Sequence, residues 1–303
     1  MAKAKPHINV IFVGHVDHGK STTVGRLMYD SGNIDEQAMR KLKEKAQQLG
    51  KAGFEFAFVM DNLKEEQERG VTIDLSYQKF LTDKFEVTII DAPGHKDFVK
   101  NMITGASQAD CAFLVCAAPD GIMAQTKEHV WLLKTLGVQQ LAVVVNKMDV
   151  VKFDKMKFEA VVSDLKKLLT TVGFKTDQVQ FIPTSSYNGD NVVKKSANMP
   201  WYTGPTIREQ LELFKEPEKP TNLPLRMPIQ DVYNIPGIGL DPVGRVETGK
   251  MKVNDKIIVV PARDGKGRRV VEQDEGALAR REGIWIRHVV RHAVVRGGLL
   301  HLN

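Results

Sequence analysis

The stretch from Gly14 to Ser21 has the residue types and spacing to bind phosphate. It reads GHVDHGKS and lies between an apolar run, INVIFV, and a helical pattern. A turn of this kind points backbone N–H groups at an anion, and the next helix adds the positive end of its dipole. Lys20 would reach the outer phosphates, and the Ser21 hydroxyl would ligate Mg²⁺. The pattern predicts a phosphate cradle; the alternative is an ordinary glycine turn.

A second group of polar residues surrounds the apolar run VTII. Asp91 ends this run, at the carboxyl end of a predicted strand, where open parallel sheets bind ligands. We expect Asp91 to hold magnesium through water and the Gly94 N–H to approach a terminal phosphate. Thr72, in the loop ERGVTID, would complete the metal shell. His95 follows Gly94, and taken alone a histidine after a turn is more often a surface or capping residue.

A third motif predicts which base is bound. The strand-like run LAVVVN ends in Asn146-Lys147-Met148-Asp149. An aspartate there can accept hydrogen bonds from N1 and N2 of guanine, a donor pair that adenine lacks. With adenine bound, the carboxylate would be left unpaired, and sites of this kind discriminate between two ligands by roughly 10⁴-fold. Asp149 therefore indicates GTP. Ser185, in the stretch PTSSYNGD, is a candidate to cap the base site, although these are also ordinary turn residues.

The elements that would position these motifs alternate between strands and helices. The apolar runs INVIFV, FEVTII, CAFLVCAA, LAVVVN and VQFIPT are separated by helical patterns, one of them at residues 158–172. Runs that are apolar on both faces are typical of a mostly parallel sheet covered by helices, so the fold class is α/β. We predict that residues 1–213 form a GTPase domain that contains the phosphate-binding loop. A proline-rich linker at 214–223 and a partial all-β barrel at 224–262 would follow.

The composition is that of a soluble globular chain of 303 residues, with 42% hydrophobic and 26% charged residues. No run reaches the ~18 apolar residues of a membrane helix, and the start resembles no signal peptide, so we expect no membrane association and a cytoplasmic location. Cys111 and Cys116 lie at an odd offset in one predicted strand. They should point to opposite faces as buried thiols, neither a disulfide nor a metal pair.

The charge distribution changes near the end of the chain. The net charge is +6, and residues 264–303 hold 7 Arg but 1 Lys, whereas lysine dominates earlier. The tail at 263–303 continues neither the strand pattern nor the composition of the preceding residues. A shifted reading frame is one explanation and a genuine alternative tail is the other. The mild charge excess elsewhere gives little warrant for nucleic-acid binding.

Taken together, the motifs resemble the elongation factor 1-alpha branch of the elongation factor Tu-like GTPases. The stretches that carry the resemblance are GHVDHGKST, ERGVTID, DAPGHKDFVKNMITGASQAD, NKMD, MPIQDVY and PVGRVETG, and they extend over about residues 5–262. The resemblance implies a GTPase that delivers aminoacyl-tRNA to the ribosomal A site, here impaired by the shortened second domain. It also implies slow intrinsic hydrolysis, an exchange factor as partner and a monomeric state.

The resemblance assigns roles to individual residues. Nucleotide contacts fall on the cradle, on Gly94 and on the base loops: Gly14, His15, Val16, Asp17, His18, Gly19, Lys20, Ser21, Thr22, Gly94, Asn146, Lys147, Asp149, Ser185, Ser186 and Tyr187. The resemblance assigns the magnesium ligands to Ser21, Thr72 and Asp91. His95 orients the attacking water beside an apolar gate of Val16 and Val71, and residues 34–68 resemble the longer first switch region of this branch.

Two other functions remain open from the sequence. A sister GTPase that handles release factors or sulfate activation shares the stretch KNMITGASQAD, although MPIQDVY and PVGRVETG favour the elongation factor. A non-enzymatic RNA-binding protein would instead use the arginine-rich tail as a basic patch.

Overall fold

The protein is described by a computed structural model that covers most of the first 251 residues. The described residues are 5–60, 72, 75–216, 220–235, 239–244, 246–251, 262–263 and 269–270. Contacts between residues divide the chain into two units, Met1–Pro217 and Glu218–Asn303.

A six-stranded sheet forms the centre of the first unit. Its strands, in chain order, are β1 (His7–Gly14), β2 (Ser76–Leu81), β3 (Glu86–Asp91), β4 (Cys111–Ala117), β5 (Gln140–Asn146) and β6 (Gln180–Pro183). In space the order is β2-β3-β1-β4-β5-β6. All neighbouring pairs are parallel except β2 with β3. The predicted mostly parallel sheet is confirmed.

Helices cover both faces of this sheet. Those in the described part of the chain are α1 (Lys20–Asp30), α2 (Glu36–Gln48), α3 (Val99–Gln108), α4 (Ala124–Thr135), α5 (Lys155–Val172) and α6 (Ile207–Leu213), with short 3₁₀ turns at Ala57–Val59, Lys96–Phe98 and Thr176–Gln178. Helices α3, α4 and α5 pack in one apolar cluster, and α1 and α6 pack in the other. Within the described ranges, no helix is long and apolar enough to cross a membrane.

The apolar character of the strands explains this two-sided packing. Every residue of β4 is buried, and its alternate side chains enter opposite clusters because successive Cβ atoms point to opposite faces. Cys111 lies in one cluster and Cys116 in the other, and both thiols are free. Burial raises the pKa of both. The prediction of two buried thiols on opposite faces is confirmed.

Strand register brings the predicted motifs to one edge of the sheet. Gly14 at the end of β1 pairs with Val115 of β4, and Asp91 at the end of β3 pairs with Phe12. Asn146 at the end of β5 pairs with Ala117. Because these strands run parallel, the loops that follow them leave the sheet on the same side.

Local sequence sets the ends of the helices. Asp154 precedes α5 and accepts a hydrogen bond from the Met156 N–H, while Gly173, in a left-handed conformation, ends it. The apolar spacing at 158–172 predicted this helix. Asp35 caps α2 by accepting a hydrogen bond from the Ala38 N–H. Only Met39 and Ala46 of this charged helix are buried, so most of its surface faces solvent.

Strand β2 was not predicted from the sequence. Its residues SYQKFL include only two that are buried, Ser76 and Phe80, and so they lack both the continuous apolar run and the strict alternation that indicate a strand. Pairing with β3 supplies the missing constraint, because β2 adds as an antiparallel edge strand. The exposed Lys79 is typical of such edges.

The first unit continues past residue 213, where the sequence analysis placed the start of a linker. Phe214 is 3% exposed and packs edge-on against Phe113 with ring centres 5.5 Å apart. The next residue, Lys215, exchanges hydrogen bonds with Gln140, its N–H donating at 2.8 Å and its carbonyl accepting at 2.8 Å. The remaining domain bounds stay predictions.

The second unit is described by short antiparallel strands. Strand β7 (Ile229–Ile235) pairs with β8 (Gly239–Gly244), and β9 (Ala262–Arg263) pairs with β10 (Arg269–Val270). The first pair lies within residues 224–262 and shows strand character there, whereas the predicted barrel itself stays a prediction. Residues 252–261 and most of the tail at 263–303 lie outside the described residues.

The position of Phe214 predicts a large difference between two neighbouring substitutions. Phe214→Ala should lower the free energy of unfolding by about 3 kcal/mol, because it leaves a cavity beside Phe113. Leu213→Ala is the matched control, since Leu213 is 60% exposed, and it should cost less than about 1 kcal/mol. Urea unfolding of the full chain, followed by circular dichroism, measures both. Equal effects would show that residue 214 belongs to a linker.

Candidate functional site

The turn between β1 and α1 has a backbone shape suited to an anion. Gly19 adopts a left-handed conformation with φ of 87°, and a Cβ there would collide with the side-chain amide of Asn146. Helix α1 then begins at Lys20 without a side-chain cap and without an acidic residue in its first turn. The first amides of α1 therefore remain available to a ligand at the positive end of the helix dipole.

Lys20 is a buried cation at the centre of this turn. Its side chain is 6% exposed, and Nζ donates to the His15 carbonyl at 3.0 Å. Burial lowers the pKa of Lys20 to about 8, although the carboxylates of Asp91 and Asp17 oppose this shift. A buried ammonium group is costly when it is charged, and an anion bound beside it offsets that cost. Lys20 is therefore suited to bind phosphate.

Two of the three predicted metal ligands are in contact, and the third, Asp91, interacts electrostatically with Lys20. The hydroxyls of Ser21 and Thr72 are hydrogen-bonded at 3.1 Å, although 51 residues separate them in sequence. Asp91 is completely buried at the end of β3. Among the described residues no group of three or more His, Cys, Asp or Glu could hold a metal. A set of two hydroxyls and one carboxylate fits Mg²⁺, which prefers oxygen and keeps several waters.

Gly94 and His95 approach the cradle from the loop after β3. A Cβ on Gly94 would lie only 2.9 Å from the backbone oxygen of Gly14 and the backbone nitrogen of Val16, so only glycine allows this approach. The His95 ring is 42% exposed, with Nδ1 at 3.4 Å from a carboxylate oxygen of Asp97. In this arrangement His95 lies at the rim of the cradle and interacts with its own loop.

A cavity of about 370 Å³ connects these groups. The sequence-predicted residues that line it are Val16, Asp17, Gly19, Lys20, Ser21, Thr22, Thr72, Gly94, His95 and Lys147. Gly53, Phe54 and Ala57 also line it, from the segment that resembles the first switch region. The other half of the predicted gate, Val71, lies outside the described residues.

Asn146 joins the cradle to the loop after β6. Its Nδ2 donates to the His18 carbonyl at 2.9 Å, and its Oδ1 accepts from the Ser186 N–H at 3.0 Å and from the Thr184 hydroxyl at 3.2 Å. The side chain is 3% exposed. One amide therefore holds together the two loops that were predicted to bind phosphate and base.

Ser185 orients the predicted base-reading carboxylate. Its hydroxyl donates to Asp149 Oδ1 at 2.7 Å, and Ser185 is completely buried. Lys147 is held in a left-handed conformation with φ of 60° between Asn146 and this aspartate. The structure brings Asn146, Lys147, Asp149, Ser185 and Ser186 into one group.

Tyr187 is placed differently from the other predicted contacts. Its side chain is half-exposed, and its hydroxyl donates to Glu55 Oε1 at 3.2 Å instead of lining the cavity. The Glu55 carboxylate and partial burial raise the pKa of Tyr187, so the phenol keeps the proton that it donates to Glu55. Its predicted contact with the nucleotide therefore has no support in this arrangement.

Two buried residues that support the cradle were missed by sequence reasoning. The Thr23 hydroxyl donates to the Gly19 carbonyl at 2.6 Å and is 2.7 Å from the Ser186 hydroxyl. His129, on α4, accepts from the Gly14 N–H at 3.0 Å through Nδ1. The Thr23–Ser186 and His129–Gly14 contacts are long-range. A single threonine or histidine in a helical pattern gives no sequence signal for such a contact.

Burial also determines the protonation of the histidines behind the cradle. It lowers the pKa of His129 to about 3, and electrostatic interactions with Lys20 and His15 contribute. It lowers the pKa of His18 to about 4, and the ring of His18 lies edge-on to that of His15 at 5.1 Å. A neutral His129 is required by the geometry, since only an unprotonated Nδ1 can accept from Gly14.

Comparison with known proteins gives a consistent match. The sequence model of the family described as "Elongation factor Tu GTP binding domain" matches residues 5–217. The chain is 61% identical over 264 residues to "Elongation factor 1-alpha" of Methanothrix thermoacetophila, covering 86% of this chain and 62% of that protein. It thus spans about three fifths of the length of such curated relatives.

One relative aligns further along the chain. "Elongation factor 1-alpha" of Methanosphaerula palustris is 53% identical over 302 residues, covering 98% of this chain and 71% of that protein. This alignment runs into the tail, beyond the point near residue 262 where the sequence analysis ended the resemblance. The shifted-frame explanation remains a prediction.

Solved structures agree on the fold. The GTPase-like domain of Ski7 from S. cerevisiae, bound to GTP, matches with a TM-score of 0.68 at 24% identity, covering 83% of this chain and 60% of that chain. A bacterial selenocysteine-specific elongation factor matches with a TM-score of 0.57 at 26% identity, covering 86% of this chain and 37% of that chain.

The buried His129 predicts a pH dependence of stability. Below pH 6.5 the unfolded chain protonates this imidazole, whereas the folded chain leaves it neutral down to about pH 3. The free energy of unfolding should therefore fall as the pH falls from 6.5, by up to about 1.4 kcal/mol per pH unit for this group. His129→Asn keeps an acceptor but cannot titrate, so its slope between pH 6.5 and 4.5 should be shallower by that amount. Urea unfolding without nucleotide measures the slope, and an unchanged slope would contradict a neutral, buried His129.

Proposed function

The chain belongs to the elongation factor 1-alpha branch of the elongation factor Tu GTP-binding family, and on that premise we propose that it binds and hydrolyses GTP to deliver aminoacyl-tRNA to the ribosomal A site. The observation that carries the proposal is the Asn146 side chain, which joins the phosphate cradle to the base loop. A single ligand with phosphates at one end and a base at the other fits that arrangement.

Guanine recognition is assigned to Asp149. Its carboxylate is oriented by Ser185 and follows the same strand end as Asn146, which makes it available to the N1 and N2 donors of guanine. Adenine would leave this carboxylate without a matching donor pair, and unpaired polar groups are strongly disfavoured. Lys147, which lines the cavity beside the cradle, would cover the ring of the nucleoside.

Phosphate binding is assigned to the cradle amides and Lys20. The N-terminal amides of α1 and the Lys20 ammonium would hold the β- and γ-phosphates, and the Gly94 N–H would approach the γ-phosphate. Ser21, Thr72 and Asp91 would hold Mg²⁺, which when bound neutralises charge on the phosphates. Thr72 would be released when the γ-phosphate is lost, since it reaches this site from a separate loop.

Hydrolysis is assigned to a water positioned by His95. Phosphoryl transfer needs little covalent help from the protein, so placing the water in line with the γ-phosphorus is the main requirement. In the described structure the His95 ring interacts with Asp97. We propose that the ribosome turns the ring toward the cavity past Val16. Hydrolysis without the ribosome is therefore slow.

The wider role follows from the relatives and is proposed for this chain. Partners would be aminoacyl-tRNA, the ribosome and a guanine nucleotide exchange factor, with the chain acting as a cytoplasmic monomer. Relatives named elongation factor 1-alpha at 53–62% identity favour this role over the sister GTPases. The alternative of an RNA-binding tail concerns residues that lie almost entirely outside the described part.

Exchange of the base-reading carboxylate should change which base is preferred. Asp149→Asn should weaken GDP binding about 100-fold and strengthen binding of XDP, because xanthine carries a carbonyl where guanine carries the 2-amino donor. Asp177→Asn, at an exposed position of the same unit, is the control and should keep the parent preference. Competition binding with the two diphosphates is the measurement. A variant that prefers GDP as strongly as the parent would remove Asp149 from the base site.

Removal of the His95 imidazole should separate binding from turnover. His95→Ala should leave GTP affinity nearly unchanged and lower ribosome-stimulated hydrolysis about 10²- to 10⁴-fold, because the ring acts only in the transition state. Nucleotide titration and single-turnover hydrolysis with ribosomes measure the two effects. Equal losses of affinity and rate would identify His95 as a structural residue.

A further inference from the structure

Two segments of the first unit lie at the proposed nucleotide site. The wall segment, residues 53–60, lines the same cavity as Lys20 through Gly53, Phe54 and Ala57. The base loop, residues 184–189, holds Asn146 and Asp149 in place. More than 120 residues separate the segments in sequence, and neither was predicted to contact the other.

A hydrogen bond between Tyr187 and Glu55 connects these segments. The Tyr187 hydroxyl donates to Glu55 Oε1 at 3.2 Å, and Glu55 Oε2 accepts from the Gly53 N–H at 2.9 Å. Glu55 is 7% exposed, which is unusual for a carboxylate and is explained by these two donors. The second bond also fixes the turn at Gly53, where the wall segment enters the cavity.

Arg26, on helix α1, contacts both segments that this hydrogen bond connects. Its Nη1 donates to the Tyr187 carbonyl at 2.8 Å, and its guanidinium carbon lies 5.0 Å from the centre of the Phe56 ring. Arg26 is itself held by Asp30, at 2.8 Å on the same helix. One side chain of α1 therefore contacts both the base loop and the wall segment, and the Tyr187 ring packs edge-on to Phe56 at 6.1 Å.

We propose that the Tyr187–Glu55 hydrogen bond is a clamp through which the base loop holds the wall segment over the phosphates and so slows nucleotide release. A guanine read by Asp149 orders the base loop, the ordered loop fixes Tyr187, and Tyr187 fixes Glu55 and the turn at Gly53. Coupling of this kind is reciprocal, so an ordered wall segment also favours the base-bound loop. Tyr187 and Glu55 are positioning residues here, and the clamp rests on the proposed function of the site.

The test is the rate at which a fluorescent GDP analogue is released from the full chain. Tyr187→Phe removes the hydroxyl and keeps the ring on Phe56, so release should accelerate about 3- to 10-fold. Glu55→Ala should accelerate release at least as much, and the double variant should release no faster than Glu55→Ala alone, because both changes break one interaction. Tyr29→Phe is the matched control, since its ring packs on the same Phe56 at 5.9 Å, and it should release at the parent rate.

A second measurement separates the clamp from the proposed function. Hydrogen exchange of residues 53–60 in the nucleotide-free chain should rise in Tyr187→Phe and stay at the parent level in Tyr29→Phe. If the parent binds GDP and Tyr187→Phe changes neither release nor exchange, the clamp is wrong and the site stands. If the parent binds no guanine nucleotide, the proposed function fails, and unchanged exchange in Tyr187→Phe would then overturn the clamp as well. Additive effects in the double variant would also overturn the pairing.

Discussion

The site depends on one buried amide, the side chain of Asn146. It is the last residue of β5, and it donates to the cradle at the His18 carbonyl while it accepts from the base loop at the Ser186 N–H. A buried amide with unmet partners is costly, so each loop has one favoured position relative to the other. Parallel pairing of β1, β4 and β5 makes this possible, because it brings the three strand ends to one edge.

The polar groups around this amide are buried, and burial shifts their pKa values. Lys20 is nearly inaccessible and has its pKa lowered to about 8 by burial, and His129 must stay neutral to accept from Gly14. Low local polarity strengthens the attraction between Lys20 and an incoming phosphate. The same burial lowers the free energy of unfolding in acid, because His129 is protonated at a higher pH in the unfolded chain than in the folded chain.

The sequence predicted the fold class, and it indicated the turn between β1 and α1, because these signals are local. The continuous apolar strands, the glycine spacing of the turn and the apolar periodicity of α5 each occupy one short stretch of chain. The contacts it did not predict join distant stretches through single side chains. Thr23 reaches Ser186, His129 reaches Gly14, and Tyr187 turns to Glu55 because a carboxylate and an arginine neighbour attract its hydroxyl and carbonyl. Pairings of this kind leave no periodic pattern.

The two loops joined by Asn146 are proposed to bind one guanine nucleotide. Calorimetric titration of the full chain with GDP and, separately, with ADP, both with Mg²⁺, tests this proposal most directly. We expect one molecule of GDP to bind per chain, with an affinity at least about 10³-fold above that for ADP, because only guanine matches the Asp149 carboxylate. Comparable affinities for the two nucleotides, or no binding of either, would contradict it.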